Sequence, residues 1–139
     1  LDIAWWKVLI GFFVMHYTAG IILSVVFQLA HVVPKTEMPL PDENGNMKHS
    51  WAMHQFYTTS NFAPTNKVVS WYTGGLNHQV EHHVFPHISH IHYGKIAKIV
   101  KETALEFNLP YNEYKTTREA ILEHFRQLKS LGNEPTLAV

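Results

Sequence analysis

Residues 8–34 form a run of 27 positions without a single Asp, Glu, Lys or Arg. Coiled as a helix, the run would reach about 40 Å at ~1.5 Å per residue. Roughly 20 such residues cross a bilayer core. Trp5, Trp6 and Lys7 flank it on one side, Lys35 and Glu37 on the other, and tryptophan at a membrane edge acts as an interfacial anchor. Gly11 and Gly20 would cost stability in a soluble helix, whereas small residues suit close helix packing in lipid. A secretory signal fits poorly, because the run is too long for an apolar leader core and Asp2 weakens a basic leader. A buried helix of a soluble bundle is the plainer alternative. His16, Gln28 and His31 interrupt the run, and polar groups at membrane depth turn toward a protein interior or cavity. One span cannot shelter them alone, and the chain starts at Leu1 directly before it. The expectation is a piece of a larger integral membrane protein.

The 139 residues suffice for about one domain. Eleven Lys and Arg balance eleven Asp and Glu, which argues against a nucleic-acid partner, whose capture rests on a basic excess. No cysteine is present, so disulfides and thiolate-ligated zinc or iron–sulfur clusters are excluded. Charged residues make up 16 %, below the roughly 25 % of ordinary soluble domains.

The expected fold is all-α: one transmembrane helix followed by a helical cytoplasmic cap. Residues 1–34 would be the span with its interfacial flank, and 35–47 a loop carrying Pro39, Pro41 and a polar turn. Residues 48–86 would hold two helices, near 49–62 and 68–85. Gly74–Gly75 suggests close packing or a break in the second, and Pro86 should stop it near Val84. Residues 87–132 read as two amphipathic helices. Thr116 with Glu119 forms a capping-box signature before the last of them, Gly132 supplies its stop, and 133–139 would be a frayed tail. Lysines after the span outnumber those before it, which places the C-terminal region in the cytoplasm.

Histidine is the outlier, with eleven residues, six of them between positions 78 and 92. At the centre is Gln79-Val80-Glu81-His82-His83. On a helix Gln79 shares a broad face with His82 and His83, and the adjacent pair differs by about 100° of azimuth. They could serve two neighbouring metal ions or two sides of one. Neutral imidazole suits iron, copper, zinc and nickel. Gln79 could bind through its amide oxygen or hold a metal-bound water. Glu81 is a candidate to orient a ligand ring by accepting its other N–H, and Asn77 a candidate for a similar part. His31, one turn beyond Gln28, could complete a site at the membrane surface; His54 and Asn61 are weaker candidates. His49, His92 and His124 read as solvated surface residues, His16 as a hydrogen-bonded packing residue, and His87 and His90 stay open between positioning and solvation.

The stretch from Gly74 through Asn77, Gln79, His82 and His83 to Pro86 resembles the third histidine box of membrane fatty acid desaturases. It is closest in type to the front-end class, in which Gln replaces the first His of an H-x-x-H-H pattern. Phe27-Gln28-Leu29-Ala30-His31, His54-Gln55 followed by Thr58-Thr59-Ser60-Asn61-Phe62, and His92-Tyr93-Gly94-Lys95-Ile96 support the likeness. The resemblance implies a four-span enzyme with a cytoplasmic cap and a non-haem di-iron centre held by histidines. It implies use of dioxygen and two electrons to place a cis double bond in a fatty acyl chain, carried as acyl-CoA or acyl-lipid. His82 and His83 match box histidines that bind iron, Gln79 matches the box glutamine, and His31 matches a ligand at the end of the last span. The family's first two boxes have no match and would lie upstream. Its haem electron-donor domain is absent too, so electrons would come from a separate carrier of cytochrome b or ferredoxin type. The isolated chain is expected to be inactive. A histidine-box hydroxylase, a non-catalytic membrane-anchored metal-binding module and a structural helical protein with incidental histidines are the alternatives.

Overall fold

A computed structural model describes residues 3–133. Six α-helices among them carry the architecture: α1 (Trp5–His31), α2 (Trp51–Thr58), α3 (Lys67–Tyr72), α4 (Gln79–Val84), α5 (Tyr93–Glu106) and α6 (Thr117–Asn133), with a short 3-10 turn at His90–His92 before α5. Residues 8–31 of the uncharged run lie in one unbroken helix, α1, long and apolar enough to cross a membrane, and the last three residues of the run leave it. Its sides are exposed along most of its length, and only Val26, Leu29 and Ala30 near its C-terminal end are buried.

That end is planted in the cap. Leu29 and Val33 pack with Phe62, Tyr114 and Ala120 in one core cluster. A second cluster joins Phe56 of α2, Val80 of α4 and Val100 and Ala104 of α5. Fully burying side chains of this kind contributes roughly 1.5–3 kcal/mol each. The two clusters therefore fix α1, α2, α4 and α5 around one site.

The all-α expectation is incomplete. Asn61–Phe62 (β1) and Glu113–Tyr114 (β2) pair in parallel, Asn61 opposite Glu113 and Phe62 opposite Tyr114. The helix expected over 49–62 accordingly ends at Thr58, and the chain turns extended. Buried backbone groups here find partners outside any helix: Ser60 N–H donates to Ala30 O and Asn61 N–H to Asn112 O, each at 2.9 Å. The strands thus tie the end of α1 to both halves of the cap.

The helix expected over 68–85 is two helices. Gly74 and Gly75 take φ of 60° and 81°, left-handed values that glycine adopts without steric cost. α4 ends at Val84, ahead of Pro86. Thr116 accepts from Glu119 N–H at 3.1 Å, and Glu119 Oε2 accepts from Lys115 N–H at 3.0 Å, so the box caps α6 with its return bond one residue early. Gly132 does not stop α6, which continues to Asn133. The rest of the expected tail, 134–139, lies outside the described residues.

Candidate metal centre

α4 is only six residues long, and its placement comes from its neighbours rather than from helix propensity. It carries His82 and His83 toward the end of α1, where His31 stands. The His31 and His83 rings lie 5.0 Å apart between centroids, and His82 and His83 lie 5.6 Å apart at 86°. Three histidines separated by up to 52 positions in sequence thus converge where the long helix meets the cap.

Each ring has its Nδ1 engaged. His31 Nδ1–H donates to Thr58 O at 3.2 Å, and His83 Nδ1–H to Gln55 Oε1 at 2.9 Å. His82 Nδ1 pairs with the Tyr93 hydroxyl at 3.1 Å, an oxygen able to accept its N–H. Such outer contacts fix the tautomer and leave Nε2 as the nitrogen with a free lone pair, able to bind a metal. Burial, then the neighbouring His31 and His82, lowers the His83 pKa to about 4. Burial and His31 lower that of His82 as well. Both rings are therefore held neutral at physiological pH, the form that binds metal.

Gln79 is 1 % exposed, and its amide nitrogen is buried without a hydrogen-bond partner among the described residues. His54 of α2 lines the same shallow pocket as His31, with its Nδ1 buried and without a hydrogen-bond partner among the described residues. The donors suit iron in kind: neutral imidazoles with one nitrogen tethered. In number they do not make a site, since no three His, Cys, Asp or Glu among the described residues stand close enough to hold an ion.

The other candidates lie elsewhere. Glu81 receives no ring N–H from His82 or His83. It is fully buried and accepts from Asn61 Nδ2 at 2.9 Å and from the Tyr111 hydroxyl at 2.7 Å, with His78 Nδ1 3.7 Å away. Burial and then Glu81 push the Tyr111 pKa up. Asn61 also accepts the Val80 N–H at 2.9 Å. Asn77 reaches no histidine ring by a hydrogen bond; it donates to Ala63 O and Ser70 Oγ, bracing the turn between α3 and α4. The Gln28 side chain is exposed, while its carbonyl accepts the Val32 N–H.

His87, His90 and His92 are exposed. His49 stacks on Tyr57 at 4.4 Å rather than standing free. His124 Nδ1–H donates to Val32 O at 2.7 Å, so it is a tether between α6 and the end of α1 and not a solvated residue. His16, expected to hydrogen-bond, instead packs on Phe12 at 4.1 Å. Gln55, Tyr93 and Tyr111 were not singled out by pattern. Gln55 and Tyr93 do fall in the stretches that carry the family likeness, which was the available signal.

Comparison with known proteins places these observations in a family. The family model described as fatty acid desaturase matches residues 1–115. The chain is 45 % identical over 127 residues to the sn-1 linoleoyl-lipid 6-desaturase of Synechocystis sp., covering 91 % of this chain and 35 % of that protein. It is 42 % identical over 129 residues to the enzyme of the same name from Arthrospira platensis, covering 93 % and 35 %. It is 39 % identical over 129 residues to the acyl-lipid (8-3)-desaturase of Mortierella alpina, covering 93 % and 29 %. The chain therefore spans about a third of the length of these curated relatives. No solved structure matches it.

Proposed function

The chain belongs to the fatty acid desaturase family, and on that premise we propose that it is the C-terminal part of a front-end acyl-lipid desaturase. Its reaction is the removal of two hydrogens from an unactivated stretch of a fatty acyl chain, leaving a cis double bond. Dioxygen, two electrons and two protons are consumed, the electrons coming from a cytochrome b or ferredoxin-type carrier, and the two hydrogens removed leave with both oxygen atoms as two waters. The observation that carries the reading is the convergence of His31, His82 and His83, each with Nδ1 tethered.

In this reading His31, His82, His83 and Gln79 supply part of the shell of a non-haem di-iron centre. The remaining donors belong to the portion of the relatives' length that this chain does not span. Such a centre, when bound, supplies the oxidising strength needed to break a methylene C–H bond. The protein's own work is to keep the imidazoles neutral, hold their tautomers and stand them beside the lipid boundary. α1 crosses the membrane, and the cap lies on its cytoplasmic side. Names of relatives that act on lipid-bound acyl chains favour an acyl-lipid substrate over acyl-CoA.

The test is iron and product analysis on the full-length protein. Close to two irons per chain with new unsaturated product is the expected result, and His82→Ala or His83→Ala should abolish both. Unchanged product from those variants would overturn the assignment, as would zinc without turnover.

A further inference from the structure

α4 is too short to hold its own orientation, yet two of its six residues are the adjacent histidines. What fixes its roll is a closed ring of hydrogen bonds on its buried side. Asn61 Nδ2 donates to Glu81 Oε2 at 2.9 Å and to the Tyr111 oxygen at 2.9 Å. The Tyr111 hydroxyl donates to Glu81 Oε1 at 2.7 Å, which closes the ring. Asn61 Oδ1 takes the Val80 N–H at 2.9 Å, so strand β1 grips α4 by backbone and side chain together. Glu81 and Asn61 are fully buried, and a buried network fully satisfied in this way specifies one arrangement.

We propose that Tyr111 is a positioning residue: by closing the ring with Glu81 and Asn61 it sets the roll of α4, and so decides where the His82 and His83 imidazoles stand toward the metal. His82 and His83 follow Glu81 by about 100° and 200° around the helix. A roll of the helix therefore moves both rings away from Tyr93 and Gln55. Tyr111 lies 30 residues downstream of Glu81, beside β2, so the last part of the cap reaches back to orient the histidine segment. The inference rests on the metal-binding reading above for its consequence, and on the hydrogen-bond ring alone for its structural half.

The experiment compares wild type, Tyr111→Phe and Val100→Ala in the full-length protein. Val100 packs beside Val80 in the same core cluster without joining the ring, so V100A reports plain loss of packing. In the metal-free proteins, hydrogen exchange followed by mass spectrometry should show residues 79–84 exchanging at least tenfold faster in Y111F, and not selectively faster in V100A. In the iron-loaded proteins, Y111F should lower iron affinity by 10–100-fold and change the iron Mössbauer signature. Its kcat should fall while KM for the acyl substrate holds. Glu81→Gln, which turns an amide N–H2 toward the donors, should behave like Y111F, and adding Asn61→Asp should restore part of the protection. Exchange over 79–84 unchanged in Y111F and E81Q would overturn the proposal whatever the metal data show. Wild type without iron, but with the exchange effect present, would instead overturn the metal reading and leave the positioning role standing.

Discussion

Each of the three converging imidazoles has its Nδ1 committed to an oxygen from a different place: a carbonyl at the end of α2, an amide within α2 and a hydroxyl at the start of α5. Replacing Gln55 by Leu or Tyr93 by Phe keeps every donor nitrogen in the chain yet frees one ring. Either change should weaken iron binding by 10–100-fold in the full-length protein, measured as iron retained per chain during titration with a chelator. Tyr111 gives a second readout. Its pKa is raised in the fold by burial and Glu81, while the unfolded side chain ionises near 10. The stability it contributes is thus complete below pH 10 and is lost as pH rises above it. Urea unfolding in detergent should show wild type about 1.5–3 kcal/mol more stable than Y111F at pH 8, with the gap shrinking between pH 10 and 11. At this scale the placing of Gln79, His82 and His83 together on one helix was legible because helical spacing is a local property. Glu81 was misjudged, and Tyr111 passed over, because hydrogen-bond partners 20 to 50 residues apart leave no periodic trace.

Among the elements, the long apolar helix and the stop before Pro86 were legible, since uncharged length and a missing N–H act locally. The parallel β1–β2 pair was not: two residues per strand are too few to show alternation, and the strands lie 52 positions apart. The Gly74–Gly75 pair was read as a packing or breaking signal, and the backbone supplies the reason. A Cβ on Gly75 would sit 3.1 Å from His90 Cβ and 3.2 Å from its carbonyl oxygen, at a φ of 81°. Gly75→Ala should therefore destabilise the cap by more than about 1 kcal/mol, whereas Gly45→Ala meets only the φ cost because nothing lies within 4 Å of its Cβ. Thermal unfolding of the two variants side by side checks the difference.

Across the whole molecule, apolar side chains are exposed along α1 from Trp5 to Phe27, while the cap closes on the helix's last turns. Expressed alone, the chain should sediment with membranes, resist carbonate extraction, dissolve in detergent and yield no unsaturated product; turnover by the isolated chain would contradict a shell completed by other parts of the enzyme. The pairing of Asn61 with Glu113 has a further outcome during synthesis. His31, His82 and His83 are all translated before residues 111–114, which close the ring around Glu81 and pair with β1. On the proposed reading, a premature stop after residue 110 of this numbering in the full-length protein would spare all of those nitrogens and should still weaken iron retention, read as iron per chain, a loss that a count of intact ligands would fail to foresee.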